Sequence, residues 1–377
     1  MITYLLGAGA SANALPLVEG IAARIHHYVH PDSTFTKFCE AETNLMSAEE
    51  KTEFDTYYSF FKKGLQKISQ QLHSSSIDQY AIMLWHNKRL NEFHELKALL
   101  SGFFMFEQLI PGFATNFRFN GSRYHIPEEY LTMRNIDTRY NYFWSLLAKR
   151  NGNSLTRDKV RILSWNYDSQ IELSFQEYCQ ADKFATSSEL RDNIRRELQL
   201  FPDYKLWRAQ PFDNNKFSVT KLNGTAGIFF NKDNNYHNGG ANFFGKEPIT
   251  FNIVRTILQD VYFCSPFCSD SVKKKFTSLS FAWESESENN EITKTAVART
   301  MLTDILVIMG YSFPDYNRPI DNKILGNMQK LQTVYILDVD DYLDEREEQL
   351  REIISRDVKV IQKNNVERFV IPPQLHG

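Results

Sequence analysis

The chain has 377 residues, 42% hydrophobic and 14% aromatic, enough apolar material for a large core and not the composition of a disordered chain. Its 43 Lys and Arg against 46 Asp and Glu leave a formal charge of -3, so composition gives no basic face for general nucleic-acid binding. Only four cysteines occur, Cys39, Cys179, Cys264 and Cys268; this fits a reducing compartment, and "CSPFC" lacks the second pair or nearby histidine that a zinc site needs, so no metal is expected.

"ITYLL" (2–6) predicts a short β-rich strand that breaks into Gly7, Ala8, Gly9, Ala10 and Ser11. "LPLVEGIAARIHHYV" (15–29) then predicts a helix with Leu17, Ile21 and Ile25 on one side. Strand, glycine turn and helix make a first unit of a doubly wound α/β sheet. No basic n-region precedes the opening run and small residues interrupt it at once, so no signal peptide is expected. No stretch of 18 apolar residues occurs, so no membrane span is expected and the expected location is cytoplasmic.

From about 31 to 150 the pattern turns helical, with "EFDTYYSFFKKGLQKISQ" (53–70), "SIDQYAIMLWHN" (76–87) and "EFHELKALLSGFFMFEQL" (92–109). A loop is expected at 111–127 and a helix at 138–150. The expected organisation is therefore an α/β Rossmann-like parallel sheet from 1–30 and 151–377, with a mostly helical insertion at 31–150. Strands are expected in "KVRILSWN" (159–166), "FSVTKLNGTAG" (217–227), "TDILVIMGYSF" (303–313), "QTVYILDVD" (332–340) and, last and short, "ERFVI" (367–371). These read as continuous apolar runs, as buried parallel strands do. The basic spots "NIRRELQL" (193–200) and "VKKKF" (272–276) read as solvated helix faces and turns.

The strand ends carry the chemistry. "GAGAS", "WNYD" and "GYSF" close three strands with small and polar residues, and "KLNG" repeats the pattern less clearly. Open α/β sheets bind ligands at that edge, so these endings can converge on one crevice. Gly7 and Gly9 permit a tight turn and close approach of backbone to a ligand, with the following helix aiming N–H groups at a phosphate; a purely structural glycine turn is the alternative. Asn166 and Asp168 suit a ribose hydroxyl or carboxamide, or ordinary turn chemistry. Gly310 and Ser312 suit phosphate or ribose contacts, or close strand–helix packing.

Taken in order, "LLGAGAS", "SIDQY", "ILSWNYDSQIE", "KLNGTAG" and "LVIMGYSFPDYNRPIDNKI" resemble the SIR2-like family, the prokaryotic branch related to sirtuins that acts in NAD-consuming antiviral defence. The resemblance covers roughly 1–28 and 158–340. It implies that Gly7, Ala8, Gly9 and Ser11 lie along the diphosphate of NAD. It implies that Asn166 is catalytic, that Asp168 orients the ribose or nicotinamide side, and that Gly310 and Ser312 make later cofactor contacts. Asp78, in "SIDQY", matches a recurring signature among the cofactor-site residues, without an assigned role. The family's "KLHG" is "KLNG" here, so Asn223 stands at the position of its histidine; His237 and His125 are the histidines that could swing in. An asparagine amide cannot exchange a proton near neutral pH as histidine does.

The resemblance thus implies an NAD hydrolase that releases nicotinamide and leaves ADP-ribose or its cyclised form. The alternative is a catalytically silent NAD or ADP-ribose sensor, or a structural subunit of a defence complex. It further implies an oligomer or a regulatory protein partner. The aromatic stretches "YYSFFKKG" and "SGFFMFEQL" suit such contacts, or an internal helical core. A deacylase would need the missing histidine and a zinc module with two C-x-x-C pairs. A dehydrogenase would need G-x-G-x-x-G, and its ribose acid would have to be Asp32.

Overall fold

The computed structural model describes residues 1–72, 75–109, 134–147, 150–151, 154–155, 159–178, 186–202, 212–213, 216–231, 236–238, 244, 248–268, 270, 273–285 and 290–375. In chain order the strands are β1 (Ile2–Leu6), β2 (Arg150–Asn151), β3 (Ser154–Leu155), β4 (Val160–Ser164), β5 (Ser218–Lys221) and β6 (Ile228–Asn231). They continue with β7 (Tyr236–Asn238), β8 (Lys275–Thr277), β9 (Ile305–Met309), β10 (Thr333–Leu337) and β11 (Lys359–Lys363). Six of them form one sheet in the order β11-β10-β9-β1-β4-β5, with every pairing parallel. Renumbered within the sheet and read from β5, this is the 3-2-1-4-5-6 order of the Rossmann-like α/β fold.

Side chains alternate across the pleat, so the central strands feed two cores. Tyr4 and Leu6 of β1 point into the larger one, and Leu5 into the smaller. The larger core takes in α1 (Ile21–Val29), α2 (Thr34–Thr43), α3 (Ala48–Gln71), α4 (Ile77–His86), α5 (Leu90–Leu109), α6 (Arg139–Leu147), α7 (Gln170–Phe175), α8 (Ser187–Glu197) and α9 (Phe251–Phe263). The smaller core lies under α10 (Glu291–Thr300), α11 (Arg318–Gly326) and α12 (Leu343–Ile353). Between β1 and β2 the described elements are helices. Ser47 and Ser76 start α3 and α4 with capping boxes completed by Glu50 and Gln79. Every residue of α5 from Leu96 to Leu109 is buried, which explains a run with little helical amphipathicity. Its rings pack inward: Phe106 meets Phe35 at 4.8 Å and Phe61 at 5.4 Å.

Three expectations change. The last strand is not 367–371 but β11, an edge strand whose sequence KVIQK mixes charge with apolar residues because its free side is wet. Phe369 is apolar for another reason: it packs on Tyr140 and Phe143 at 4.9 and 4.6 Å, and Tyr4 donates its hydroxyl to the Val370 carbonyl. The polar, glycine-containing sequence "GTAGIFFNKDNNYHNGGANFFG" (224–245) reads as a loop, yet it contains β6, which pairs antiparallel with β7 and β8. Finally, α1 begins only at Ile21; the glycine turn runs into one 3₁₀ turn, Ala8–Ser11, and a second follows at Val18–Gly20. The loop expected at 111–127, with His125, and Cys179 lie outside the described residues.

Candidate functional site at the strand ends

Register brings the predicted turns to one edge. Leu6 is level with both Ser164 and Met309, and Ser164 is level with Lys221. The residues that follow, Gly7, Trp165, Leu222 and Gly310, therefore leave the sheet side by side. Between β1 and β9 the strand order reverses, the position where open α/β sheets form a ligand crevice.

At that switch point the two turns interlock through glycines. The Gly7 amide donates to the Met309 carbonyl at 3.1 Å and the Gly9 amide to the Gly310 carbonyl at 3.0 Å. A Cβ on Gly7 would stand 2.4 Å from the Gly310 oxygen, and one on Gly9 2.6 Å from the Gly310 Cα. Gly310 itself has φ +58°, where L side chains are strained. Loop contact thus accounts for all three glycines. The amides of Gly9, Ala10 and Ala12 are taken by backbone carbonyls, so the turn is not the start of a long helix aimed at a phosphate, as the sequence suggested. Ala8 is exposed at its tip, and Ser312 is exposed on the facing turn.

Asn166 joins this interlock. Its Nδ2 donates to the Gly7 carbonyl at 2.9 Å and lies 3.4 Å from the Ser11 hydroxyl. Ser11 is buried, with its hydroxyl 3.5 Å from that of Tyr140. Asp168 is buried two residues on and accepts the Gln170 amide at 3.0 Å, while Lys221 donates its ammonium to the Asp168 carbonyl. Lys221 also stands 3.9 Å from Glu172, whose carboxyl burial raises above the ordinary range and Lys221 lowers. Asn223 is buried beside β4: Nδ2 donates to the Trp165 carbonyl at 3.0 Å, and Oδ1 is buried without a hydrogen-bond partner.

Asp78 enters from the helical side, in the first turn of α4. Burial pushes its carboxyl up to about 6; burial first, and then the charge of Asp78, raises the phenol of Tyr167, the residue between Asn166 and Asp168. Tyr167 packs on Phe104 and Phe281 at 5.6 and 6.3 Å. The structure thus gathers the glycine turn, Asn166, Asp168, Asn223 and Gly310 at one edge, with Asp78 near Tyr167. His237 lies in β7, away from the six-stranded sheet in backbone pairing.

Two groups went unrecognised in the sequence. Asp137 and Arg139 form a buried pair, Arg139 Nε at 2.9 Å from Oδ1 and Nη2 at 2.5 Å from Oδ2. Asp137 accepts the Asn13 amide at 3.0 Å, and Arg139 donates to the carbonyls of Gly9 at 2.9 Å and Val366 at 2.8 Å. This clamp holds the glycine turn from beneath. An Asp-x-Arg at a helix start was the only available signal. The second group is Asp321 with Tyr311 and Trp165. Among the described residues no three His, Cys, Asp or Glu side chains gather as metal ligands. Among them, too, no helix is long and apolar enough to cross a membrane.

Sheet order and the converging strand ends define the class: a Rossmann-like α/β fold, consistent with the nucleotide-binding proteins built on it. Neither a protein-family model, nor a curated protein, nor a solved structure matches the chain.

Proposed function

We propose that the chain is an NAD glycohydrolase of the SIR2-like kind, acting in antiviral defence, with its strand-end crevice as the active site. The observation that carries the reading is the Asn166–Gly7 hydrogen bond, which joins two of the resembling motifs at the point where the strand order reverses. In the reaction, a water oxygen bonds to C1′ of the nicotinamide ribose as the C1′–N bond breaks. The bond's electron pair goes to the positively charged nicotinamide nitrogen, which leaves neutral; the water's proton passes to solvent. The leaving group needs no acid, so the protein's task is to orient the ribose and support an oxocarbenium-like centre. Asn166 holds water or ribose through its free Oδ1, and Asp168 lends negative charge nearby. Asn223 fits a ligand donor through its orphaned Oδ1. The product is ADP-ribose.

A silent NAD or ADP-ribose sensor is the second reading. It is favoured by Asn223, a group without a titrating proton whose amide is already committed to Trp165. One assay separates them: purified chain with NAD, nicotinamide and ADP-ribose followed by chromatography. Turnover should fall about 10²–10³-fold in Asn166→Ala. Asn223→His should raise it by about 10²–10⁴-fold if the crevice lacks only a general base. Binding of ADP-ribose without turnover in either background would favour the sensor. An absence of both would remove the nucleotide reading.

A further inference from the structure

Trp165 precedes Asn166 at the end of β4, and Tyr311 follows Gly310 at the end of β9. Their rings stack, 6.1 Å apart and 12° from parallel. Both aim a donor at one carboxyl on α11: the Tyr311 hydroxyl lies 2.6 Å from Asp321 Oδ2 and the Trp165 indole nitrogen 3.3 Å from Oδ1. Asn317 donates to the Tyr311 hydroxyl at 3.0 Å, fixing its orientation. The chain of bonds continues, because the Trp165 carbonyl is the acceptor that holds Asn223. Asp321 is 2% exposed, and Trp165, Tyr311 and Asn317 are buried with it.

We propose that Asp321 is the positioning residue of the strand-end site, a tie that holds the Trp165–Asn166 and Gly310–Tyr311 turns in register when neutral and loosens them when ionised. Its ligand readout rests on the nucleotide reading above; the tie itself does not. Burial raises the Asp321 carboxyl to about 7, against the opposing pull of Tyr311, Trp165 and Arg318. A carboxyl raised in the folded state favours the native arrangement while it keeps its proton, and that advantage is lost as pH rises through about 7. Among the described residues no cation forms an ion pair with it, although the charge of Arg318 lowers its carboxyl. Arg318 is engaged by Glu352 of α12 at 2.6 Å. Glu284, on the turn packed against α11, is paired with Lys97 at 2.8 Å. On α10, Glu291 and Lys294 face one another at 3.6 Å, and Arg299 donates to the carbonyls of Gln199 and Val219.

The test uses the full chain labelled with ¹⁵N-tryptophan, the Trp165 indole signal being assigned through Trp165→Phe. That signal is followed from pH 5.5 to 8.5, and ADP-ribose binding is measured by calorimetry over the same range. The indole signal should move with a midpoint near 7 in the parent chain and stay still in Asp321→Asn. Tyr311→Phe removes a donor to the ionised form and should move the midpoint upward. Parent affinity for ADP-ribose should weaken about tenfold from pH 6 to 8.5, and that of Asp321→Asn should stay level. A still signal in the parent, a moving one in Asp321→Asn, or a binding profile that Asp321→Asn leaves unchanged would overturn the tie. Should Asp321→Asn fail to fold, an unshifted midpoint in Tyr311→Phe overturns it instead. If ADP-ribose binds at no pH, the nucleotide reading fails and the indole titration alone decides the tie.

Discussion

Gly310 shows how little freedom a single position at this edge has. An added Cβ would come within 2.3 Å of the Gly9 Cα, and φ +58° already strains any L side chain. Gly310→Ala should therefore lose about 1–3 kcal/mol from backbone strain alone, with the contact adding to it. A urea unfolding midpoint equal to that of the parent would contradict the interlock. The residue types were readable beforehand: Gly7, Gly9, Asn166, Asp168 and Gly310 all stand where small and polar strand endings put them. Their partners were not. A lone sequence shows that a glycine permits close approach, without showing that the approaching atoms belong to Gly310 rather than to a ligand. For Asn223, sequence supplied the missing imidazole, and only geometry supplied the carbonyl of Trp165.

The glycine turn, the start of α6 and the C-terminal segment near Val366 act as one assembly through Arg139. Arg139→Met would leave Asp137 buried without its counter-charge, which should cost about 3–5 kcal/mol in urea unfolding. Arg139→Lys should recover only part of that loss, because an ammonium cannot reproduce the forked contacts to Asp137, Gly9 and Val366. A lysine variant as stable as the parent would reduce the clamp to a simple ion pair. The strands β1, β4 and β9 were legible because continuous apolar runs leave few other readings. β11 was missed because an edge strand carries charges that look like loop. Likewise "ERFVI" looked like a strand because its apolar residues serve packing on Tyr140 and Phe143. The clamp escaped because Arg139 reaches Gly9, 130 residues away, and Val366, 227 residues away, beyond any local pattern.

Across the molecule, burial has moved several carboxyls in the same direction. Asp78 is raised to about 6, and Glu107 and Asp321 to about 7. Glu107 lies on α5 with Arg24 3.7 Å away. Each holds a proton in the native state that the unfolded chain releases at lower pH, so stability should decline as pH rises from about 4 through about 7. The opposite shift at Glu92, lowered to about 2 by Arg89 and then Lys67, is on a partly exposed pair and is weakened by solvent. Urea midpoints between pH 5 and 8 should fall with pH in the parent and fall less in Glu107→Gln combined with Asp321→Asn. A midpoint that rises over this range would mean that the exposed pairs dominate. The place of β1 in the middle of the sheet bears on biosynthesis. One of its edges is covered by β4 and the other by β9, which the ribosome adds about 300 residues later. Until then a short strand, buried throughout in the native fold, has an open edge, the feature that invites wrong pairing between nascent chains. Chaperone demand during synthesis should therefore be set less by the helices than by how long β1 waits for β9.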